Sequence, residues 1–200
     1  HNEAEVNRPV HQVVWKPEDR GLAGYDHYFL KEIHQQPRII RDTIAGRISS
    51  TDPSATMDLP SLPQGKLDRI FITGSGSAYY AALIGQHFLS EYSPIDVSAR
   101  IASEISGLKP ANKTSLGVFI TQSGETADTL HAARLARDAG YSTIGLTNTQ
   151  DSSITRITDA TIYTNAGLEV SVAASKSFTA QLVDLNLLAL HLFPPPLNRF

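Results

Sequence analysis

The chain has 200 residues, of which 41% are hydrophobic and 18% are charged, a composition typical of a globular domain with a full buried core. The formal net charge of -3 gives no broad electrostatic surface for nucleic acid or for an anionic membrane, so we expect small molecules or other protein chains as partners. The absence of cysteine excludes disulfides, thiolate metal ligands and a cysteine nucleophile in these residues, and it fits a cytoplasmic protein.

The N-terminal third is polar at its start and helical further on. Residues 1–20 show no sustained periodicity and are predicted to form an interdomain linker. Within residues 21–50, apolar side chains recur mostly four apart, which predicts an N-terminal helical segment that Pro37 divides into two helices. Residues 51–66 are rich in serine, proline and glycine, a composition that predicts an irregular loop.

From residue 67 onward, short β-branched runs alternate with helical patterns. The runs predict strands at 69–73, 96–101, 116–121, 143–147 and 160–164. Helices are predicted at 78–92 and 126–139, with shorter ones at 102–108 and 152–157 and a last long one at 171–192. This alternation predicts an α/β fold, a five-stranded parallel sheet flanked by helices on both faces, followed by a proline-rich tail at 194–200.

The loop after the first predicted strand is rich in glycine and serine. Gly74 and Gly76 permit close backbone approach, and the helix that starts near Ser77 offers free amide groups to an anion. A dinucleotide-binding fingerprint requires glycine or alanine where Tyr79 stands, which counts against a nucleotide-binding oxidoreductase. A glycine turn with a serine cap explains the same residues without a ligand.

The loop after the third predicted strand, residues 121–126, concentrates hydroxyl and amide donors and is called the donor loop below. The hydroxyls of Thr121, Ser123 and Thr126, the Gln122 amide and free helix-start N–H groups could satisfy a phosphate monoester without lysine or arginine. The alternative is a capping box, in which Ser123 caps the following helix and nearby acidic side chains complement its dipole. The two interpretations are compatible, because a capped helix start is also an anion site.

Residues 165–177 join the last strand to the last helix through small and polar side chains, which could touch a sugar or simply pack at a helix entrance. Lys176 is expected to be solvated and not to form a Schiff base. The histidine spacing matches no zinc motif and the donor-loop serine lies outside a G-x-S-x-G motif, so we expect neither a metal site nor a hydrolase. Glu104, Glu125 and Glu169 are candidate isomerase bases, and their spacing singles out none.

Residues 121–129 read Thr-Gln-Ser-Gly-Glu-Thr-Ala-Asp-Thr, which closely resembles the S-Q-S-G-E-T-A-D-T motif of the glutamine:fructose-6-phosphate amidotransferases. Segments 31–37, 101–104 and 165–179 are similar to that family as well, and residues 3–6 look like the tail of its glutaminase domain. The resemblance implies the first sugar isomerase (SIS) domain of the family's isomerase part, a Rossmann-like three-layer sandwich over residues 67–193. The chain would then be a piece of a longer enzyme.

The resemblance also implies ligand-binding residues. In that family the positions of Thr121, Gln122, Ser123 and Thr126 bind the phosphate of fructose 6-phosphate or glucosamine 6-phosphate. The catalytic residues of the family lie in its second SIS domain, its C-terminal tail and its glutaminase domain, so none is implied here. The implied parent reaction makes glucosamine 6-phosphate and glutamate from glutamine and fructose 6-phosphate, without an external cofactor, in a cytoplasmic homodimer that serves UDP-N-acetylglucosamine biosynthesis.

Further family positions match with substitutions. The turn at Gly76 and Ser77 resembles the family's G-T-S turn, with Ala78 in place of a hydroxyl that faces the ligand. Val172 matches a position that contacts the sugar through its backbone, and Ala174 stands where the family often has a sugar-contacting serine. Two other functions remain open from the residues: a stand-alone SIS protein, either an isomerase or a sugar-phosphate sensor, and a purely structural domain.

Overall fold

The computed structural model describes residues 21–49, 54–59, 67–111 and 114–194, so the predictions for 1–20 and for most of 194–200 lie outside the described residues. Within them, five strands form one sheet: β1 Arg69–Gly74, β2 Asp96–Ile101, β3 Ser115–Ile120, β4 Ser142–Thr147 and β5 Ala160–Tyr163. The spatial order is β2-β1-β3-β4-β5, and every neighbouring pair is parallel. The predicted five-stranded parallel sheet is therefore confirmed, and each strand lies within one residue of its predicted ends.

Helices alternate with the strands along the chain. They are α1 Tyr28–Ile44, α2 Ser77–Tyr92, α3 Ala127–Asp138, α4 Ser153–Ile157 and α5 Lys176–Leu192. The short helix predicted at 102–108 is limited to a single 3-10 turn, Ala102–Glu104. No helix among the described residues is long and apolar enough to cross a bilayer.

The helices cover both faces of the sheet, which confirms the three-layer arrangement. On one face, α2 and α5 pack on side chains such as Ile70, Ile72 and Leu116, and on the other, α3 and α4 pack on Phe71 and Phe119. The alternation of Ile70, Phe71 and Ile72 between the two clusters follows from the period of two of a strand. Because both faces are covered, every residue of β3 is buried.

The prediction that Pro37 divides the first helix is wrong: α1 is one continuous helix with Pro37 inside it. Proline cannot donate to the carbonyl of Ile33, one turn earlier. Both residues lie on the solvent side, Ile33 being 37% exposed, so water can satisfy that carbonyl. The buried residues of the opposite side, among them Glu32 and Ile39, hold the helix against α5.

The last helix begins at Lys176 and not at residue 171, because carboxylates accept hydrogen bonds from backbone amides before its start and in its first turn. Glu32 accepts hydrogen bonds from the amides of Val170 and Ser171, and Glu169 accepts them from Ser175 and Ser177. Side-chain acceptors of this kind compete with the helical hydrogen-bond pattern. The chain therefore remains irregular from the end of β5 to residue 175.

The predicted loop at 51–66 is irregular but packed where it is described. Ala55, Met57 and Leu59 are buried and join the core cluster on the α2 and α5 face. Ala55 also pairs with Ile48 in an isolated antiparallel bridge. The alternating apolar residues of 54–59 thus close one end of the core.

Candidate functional site

The two loops singled out by the sequence start from adjacent strands. Gly74, the last residue of β1, pairs in register with Ile120, the last residue of β3. From there the chain turns to α2 on one face and to α3 on the other, so the sheet has its topological switch point between these strands. Ligands of open α/β sheets bind in the crevice at such a point.

The hydroxyl groups of the donor loop differ in burial. Thr121 is buried, its Oγ1 lies 2.8 Å from Thr126 Oγ1, and it accepts a hydrogen bond from the Gly124 amide at 3.2 Å. Ser123 is exposed, and its Oγ accepts a hydrogen bond from the Glu125 amide at 3.2 Å. Because Ser123 acts as an acceptor in that bond, its own O–H proton stays available to a ligand.

Two carbonyl groups of the donor loop accept hydrogen bonds from the end of β4 and from α4. Gln122 O accepts hydrogen bonds from the Asn148 amide at 3.1 Å and from the hydroxyls of Thr147 and Thr149 at 3.3 and 3.4 Å. Gly124 O accepts one from the Ile154 amide at 3.0 Å. These two carbonyls are therefore occupied, whereas the Ser123 hydroxyl and the Gln122 side chain donate no hydrogen bond within the described part of the chain.

The start of α3 has no side-chain cap. Thr126 is its N-cap and makes no capping hydrogen bond, so the capping-box interpretation with Ser123 as the cap is wrong. Glu125 accepts a hydrogen bond from the amide of Ser153, the first residue of α4, at 2.7 Å, and the Ser153 hydrogen bonds lower the pKa of Glu125. The carboxylate therefore binds the start of α4, and no N-cap side chain bonds the first-turn amides of α3, which leaves the arrangement that an anion site requires.

The glycine loop, residues 74–77, leads into α2 without a serine cap. Gly76 is the N-cap residue, with φ of 58°, and no side chain caps the helix. Ser77 is exposed at the first helical position, whereas the hydroxyl of Ser75 is buried without a hydrogen-bond partner among the described residues. Ala78 is buried, and a Cβ on Gly74 would lie 2.9 Å from its Cβ, so the turn requires both small residues.

The loop from β5 to α5, residues 164–175, carries the two remaining predicted positions. Val172 is fully exposed, and Ala174 is half-buried. No hydrogen bond among the described residues joins either of them to the donor loop. The structure therefore places the predicted phosphate residues together and the predicted sugar residues on a separate loop.

Asn148, which the sequence interpretation missed, links those two loops. Its backbone amide donates to Gln122 O, and its Nδ2 donates to Gly167 O at 2.7 Å. Its Oδ1 accepts from Thr164 Oγ1 at 3.0 Å and from the Ala166 amide at 2.9 Å. The only sequence signal for this role is the position of an amide side chain directly after a strand of a parallel sheet.

The expectation of a solvated Lys176 is wrong, because the residue is only 4% exposed. Its Nζ donates to Gln35 Oε1 at 2.8 Å, and it lines a cleft between α1 and the β5–α5 loop. Burial lowers the pKa of Lys176, and the carboxylates of Glu32 and Glu169 oppose that shift. The lysine is thus part of the packing that supports the loop.

The three glutamates considered as isomerase bases have different surroundings. Glu125 holds the start of α4, Glu169 accepts from the amides of Ser175 and Ser177, and Glu104 is exposed on the 3-10 turn. Among the described residues, no three histidine, aspartate or glutamate side chains come together as a metal site. The site as described is one of neutral hydrogen-bond donors.

The parallel sheet with a polar loop at its switch point places the chain among the doubly wound α/β proteins. Within that class the chain belongs to the SIS domain family, whose family model matches residues 66–191. Among curated proteins, the glutamine--fructose-6-phosphate aminotransferase (isomerizing) of Pyrococcus horikoshii is 41% identical over 188 residues, which are 93% of this chain. That of Halobacterium salinarum is 40% identical over 194 residues, or 94% of this chain. The chain spans 30% and 32% of the length of these two relatives.

A solved structure agrees with this assignment. The C-terminal domain of glucosamine-fructose-6-phosphate aminotransferase from Francisella tularensis superimposes with a TM-score of 0.78 and is 34% identical. The match covers 86% of this chain and 49% of that one. The similarity to these enzymes therefore concerns one part of their length.

Proposed function

We propose that this chain is the first SIS domain of a glutamine:fructose-6-phosphate aminotransferase and that it binds the phosphate and sugar of fructose 6-phosphate and glucosamine 6-phosphate. The observation that carries the proposal is the donor loop at the switch point. The carbonyls of Gln122 and Gly124 are engaged, the Ser123 hydroxyl is exposed, the start of α3 carries no side-chain cap, and the sequence of the loop is nearly that of the aminotransferase motif.

The phosphate contacts follow from the positions of the hydroxyls. Ser123 would donate directly, Thr126 would contribute the hydroxyl beside it, and Thr121 would orient Thr126 through their 2.8 Å contact. Gln122 is half-buried and would supply its side-chain amide. Gly76 and Ser77 would approach from the opposite side of the crevice, at the start of α2.

The sugar contacts and the wider assembly are part of the same proposal. The backbone of Val172 and the region of Ala174 would meet the sugar, with Ala174 offering no hydroxyl. In the parent enzyme, a glutaminase domain and a second SIS domain would supply the ammonia and the catalytic residues, in a cytoplasmic homodimer. Because two of the three candidate bases hold helix amides, we expect this chain alone to bind without turnover.

Calorimetric titration with glucosamine 6-phosphate, glucosamine and inorganic phosphate tests the proposal. We expect heat from the two phosphate compounds and none from glucosamine. The variant Ser123→Ala/Thr126→Ala should bind glucosamine 6-phosphate at least about tenfold more weakly, because hydrogen bonds to a charged group contribute about 1.5–3 kcal/mol each. Ser90→Ala, an exposed serine on α2, is the matched control and should bind as the unsubstituted chain does.

Two results would contradict the proposal. Unchanged affinity in the double variant would remove the donor loop from the site. Interconversion of fructose 6-phosphate and glucose 6-phosphate by this chain alone would favour the second candidate, a stand-alone SIS isomerase that completes its site across a dimer.

A further inference from the structure

We infer that Glu32 is a positioning residue that fixes the β5–α5 loop in the conformation needed for sugar contact. The inference rests on the proposed function, because it concerns the loop that carries Val172. Glu32 lies on α1, 138 residues before Val170, in a segment that resembles the aminotransferase family but to which the resemblance assigns no role. Its geometry assigns the role.

The carboxylate of Glu32 is fully engaged with the loop. Its side chain is 1% exposed. Oε1 accepts hydrogen bonds from the amides of Val170 at 2.6 Å and Ser171 at 3.3 Å, and Oε2 accepts one from the Ser171 hydroxyl. A buried carboxylate is tolerated only when such donors compensate for its lost hydration, so the loop and Glu32 depend on each other.

The rest of the loop is held elsewhere. Asn148 fixes its first part through Thr164, Ala166 and Gly167, and Glu169 fixes its last part through Ser175. Between these anchors, the hydrogen bonds described for 170–173 are those with Glu32 and an internal one from Ser171 Oγ to Ala173 O at 3.1 Å. Among the described residues, Glu32 is therefore the residue of another element that holds the segment next to Val172 by hydrogen bonds.

The side chain of Val172 offers no alternative anchor, because it is fully exposed. Its backbone can be held in place only through its neighbours, and Ser171 donates both its amide and its hydroxyl to Glu32. A contact made through backbone atoms requires a fixed backbone, since ordering a free loop on binding costs about 1–2 kcal/mol per residue. Glu32 supplies that order before the ligand arrives.

The test separates the sugar from the phosphate. The dissociation constants of glucosamine 6-phosphate and inorganic phosphate are measured for the unsubstituted chain, for Glu32→Ala and for the control Glu91→Ala, which removes an exposed glutamate from α2. In Glu32→Ala, the preference for glucosamine 6-phosphate over inorganic phosphate should fall about tenfold, while phosphate affinity changes less than about twofold. Glu91→Ala should keep both constants.

Glu32→Gln keeps an oxygen for the two amides and loses the acceptor for the Ser171 hydroxyl. The preference of this variant for glucosamine 6-phosphate over inorganic phosphate should therefore fall about threefold. This variant decides the matter if Glu32→Ala does not fold, and an unchanged preference would then overturn the inference. A Glu32→Ala variant that binds both ligands more weakly by the same factor, or binds both with unchanged affinity, would also overturn the inference. The same holds if the unsubstituted chain binds glucosamine 6-phosphate no more tightly than inorganic phosphate. Failure of the unsubstituted chain to bind phosphate at all would instead overturn the proposed function.

Discussion

Asp184 on α5 shows how much a single buried side chain depends on a distant one. It is fully buried, and Arg47 donates to its Oδ1 while also donating to Tyr163 O at 3.2 Å. The other oxygen, Oδ2, is buried without a partner among the described residues. Burial raises the pKa of Asp184 to about 7, against the attraction of Arg47, so the proton of the neutral acid can occupy the unpartnered oxygen.

This carboxyl should make stability depend on pH. Its folded-state pKa of about 7 lies above the ordinary value of 3.8, so the folded chain retains a proton that the unfolded chain releases between those values. The free energy of unfolding should therefore fall as pH rises through this window, by at most about 1.4 kcal/mol per pH unit, and then level off.

Urea unfolding between pH 4 and 8 measures the effect. Asp184→Asn should lack this part of the slope, whereas Asp138→Asn, at an exposed position on α3, should keep it. Parallel profiles for Asp184→Asn and the unsubstituted chain would show that Asp184 does not titrate in this range.

The sequence predicted where the donor loop lies because its signal is local: hydroxyls and an amide follow one another directly after a strand. The binding of phosphate by these residues stays a prediction. It could not predict the burial of Lys176 or the roles of Glu32 and Asn148. Their partners lie on other elements, and only the packing of α1 and β4 against the β5–α5 loop brings them together.

Among the elements, the donor loop and α4 are fitted to each other at Gly124. This residue has φ of 72°, and a Cβ placed on it would lie 1.9 Å from Ser152 Oγ. Ser152 precedes α4, whose first amide is held by Glu125 of the same loop. The glycine therefore sets the distance between the donor loop and the next turn along the sheet edge.

Gly124→Ala should lower the free energy of unfolding by about 2–4 kcal/mol, from the left-handed backbone and the steric overlap together. Adding Ser152→Gly should restore part of the loss, because it relieves the overlap but also removes the Ser152 hydroxyl that donates to Thr149 O. Gly107→Ala, where an added Cβ meets nothing within 4 Å, is the control and should stay within about 0.5 kcal/mol. Chemical denaturation measures all three, and a loss that Ser152→Gly leaves untouched would contradict the overlap.

At this scale the sequence predicted the strands well and the helix boundaries less well. The strands are short β-branched runs bounded by glycine and polar residues, a local signal. The unbroken helix through Pro37 and the late start of α5 depend on which carbonyls face water and which amides meet a carboxylate, and neither is visible in a single segment.

In the whole molecule, α1 belongs to the domain although it lies outside the residues matched by the family model. It packs on α5, and Ile39 forms a small buried cluster with Ala166 and Ala180. Arg47, just after α1, pairs with the buried Asp184. The overall layer arrangement was predictable from the alternation of strands and helices, but the packing of α1 on α5 was not.

A chain that begins at residue 66 should therefore be less stable than the full chain by at least about 3 kcal/mol, since it exposes Ala166 and Ala180, which pack on Ile39, and leaves Asp184 without Arg47. Urea unfolding of both chains tests this. Arg47→Ala in the full chain should reproduce only part of the loss, and equal unfolding midpoints for the short and full chains would show that α1 contributes nothing.

The hydrogen bonds between Glu32 and the β5–α5 loop can form only late in synthesis of the chain. Glu32 and Val170 are 138 residues apart, so at about 5–20 residues per second the ribosome makes the acceptor roughly 7–28 s before its donors. Until then α1 has no α5 to pack on, and the carboxylate stays in water. The strands on either side of the donor loop, β3 and β4, are synthesised before Val170, so under the proposed function the phosphate-binding loop is complete before the loop that meets the sugar.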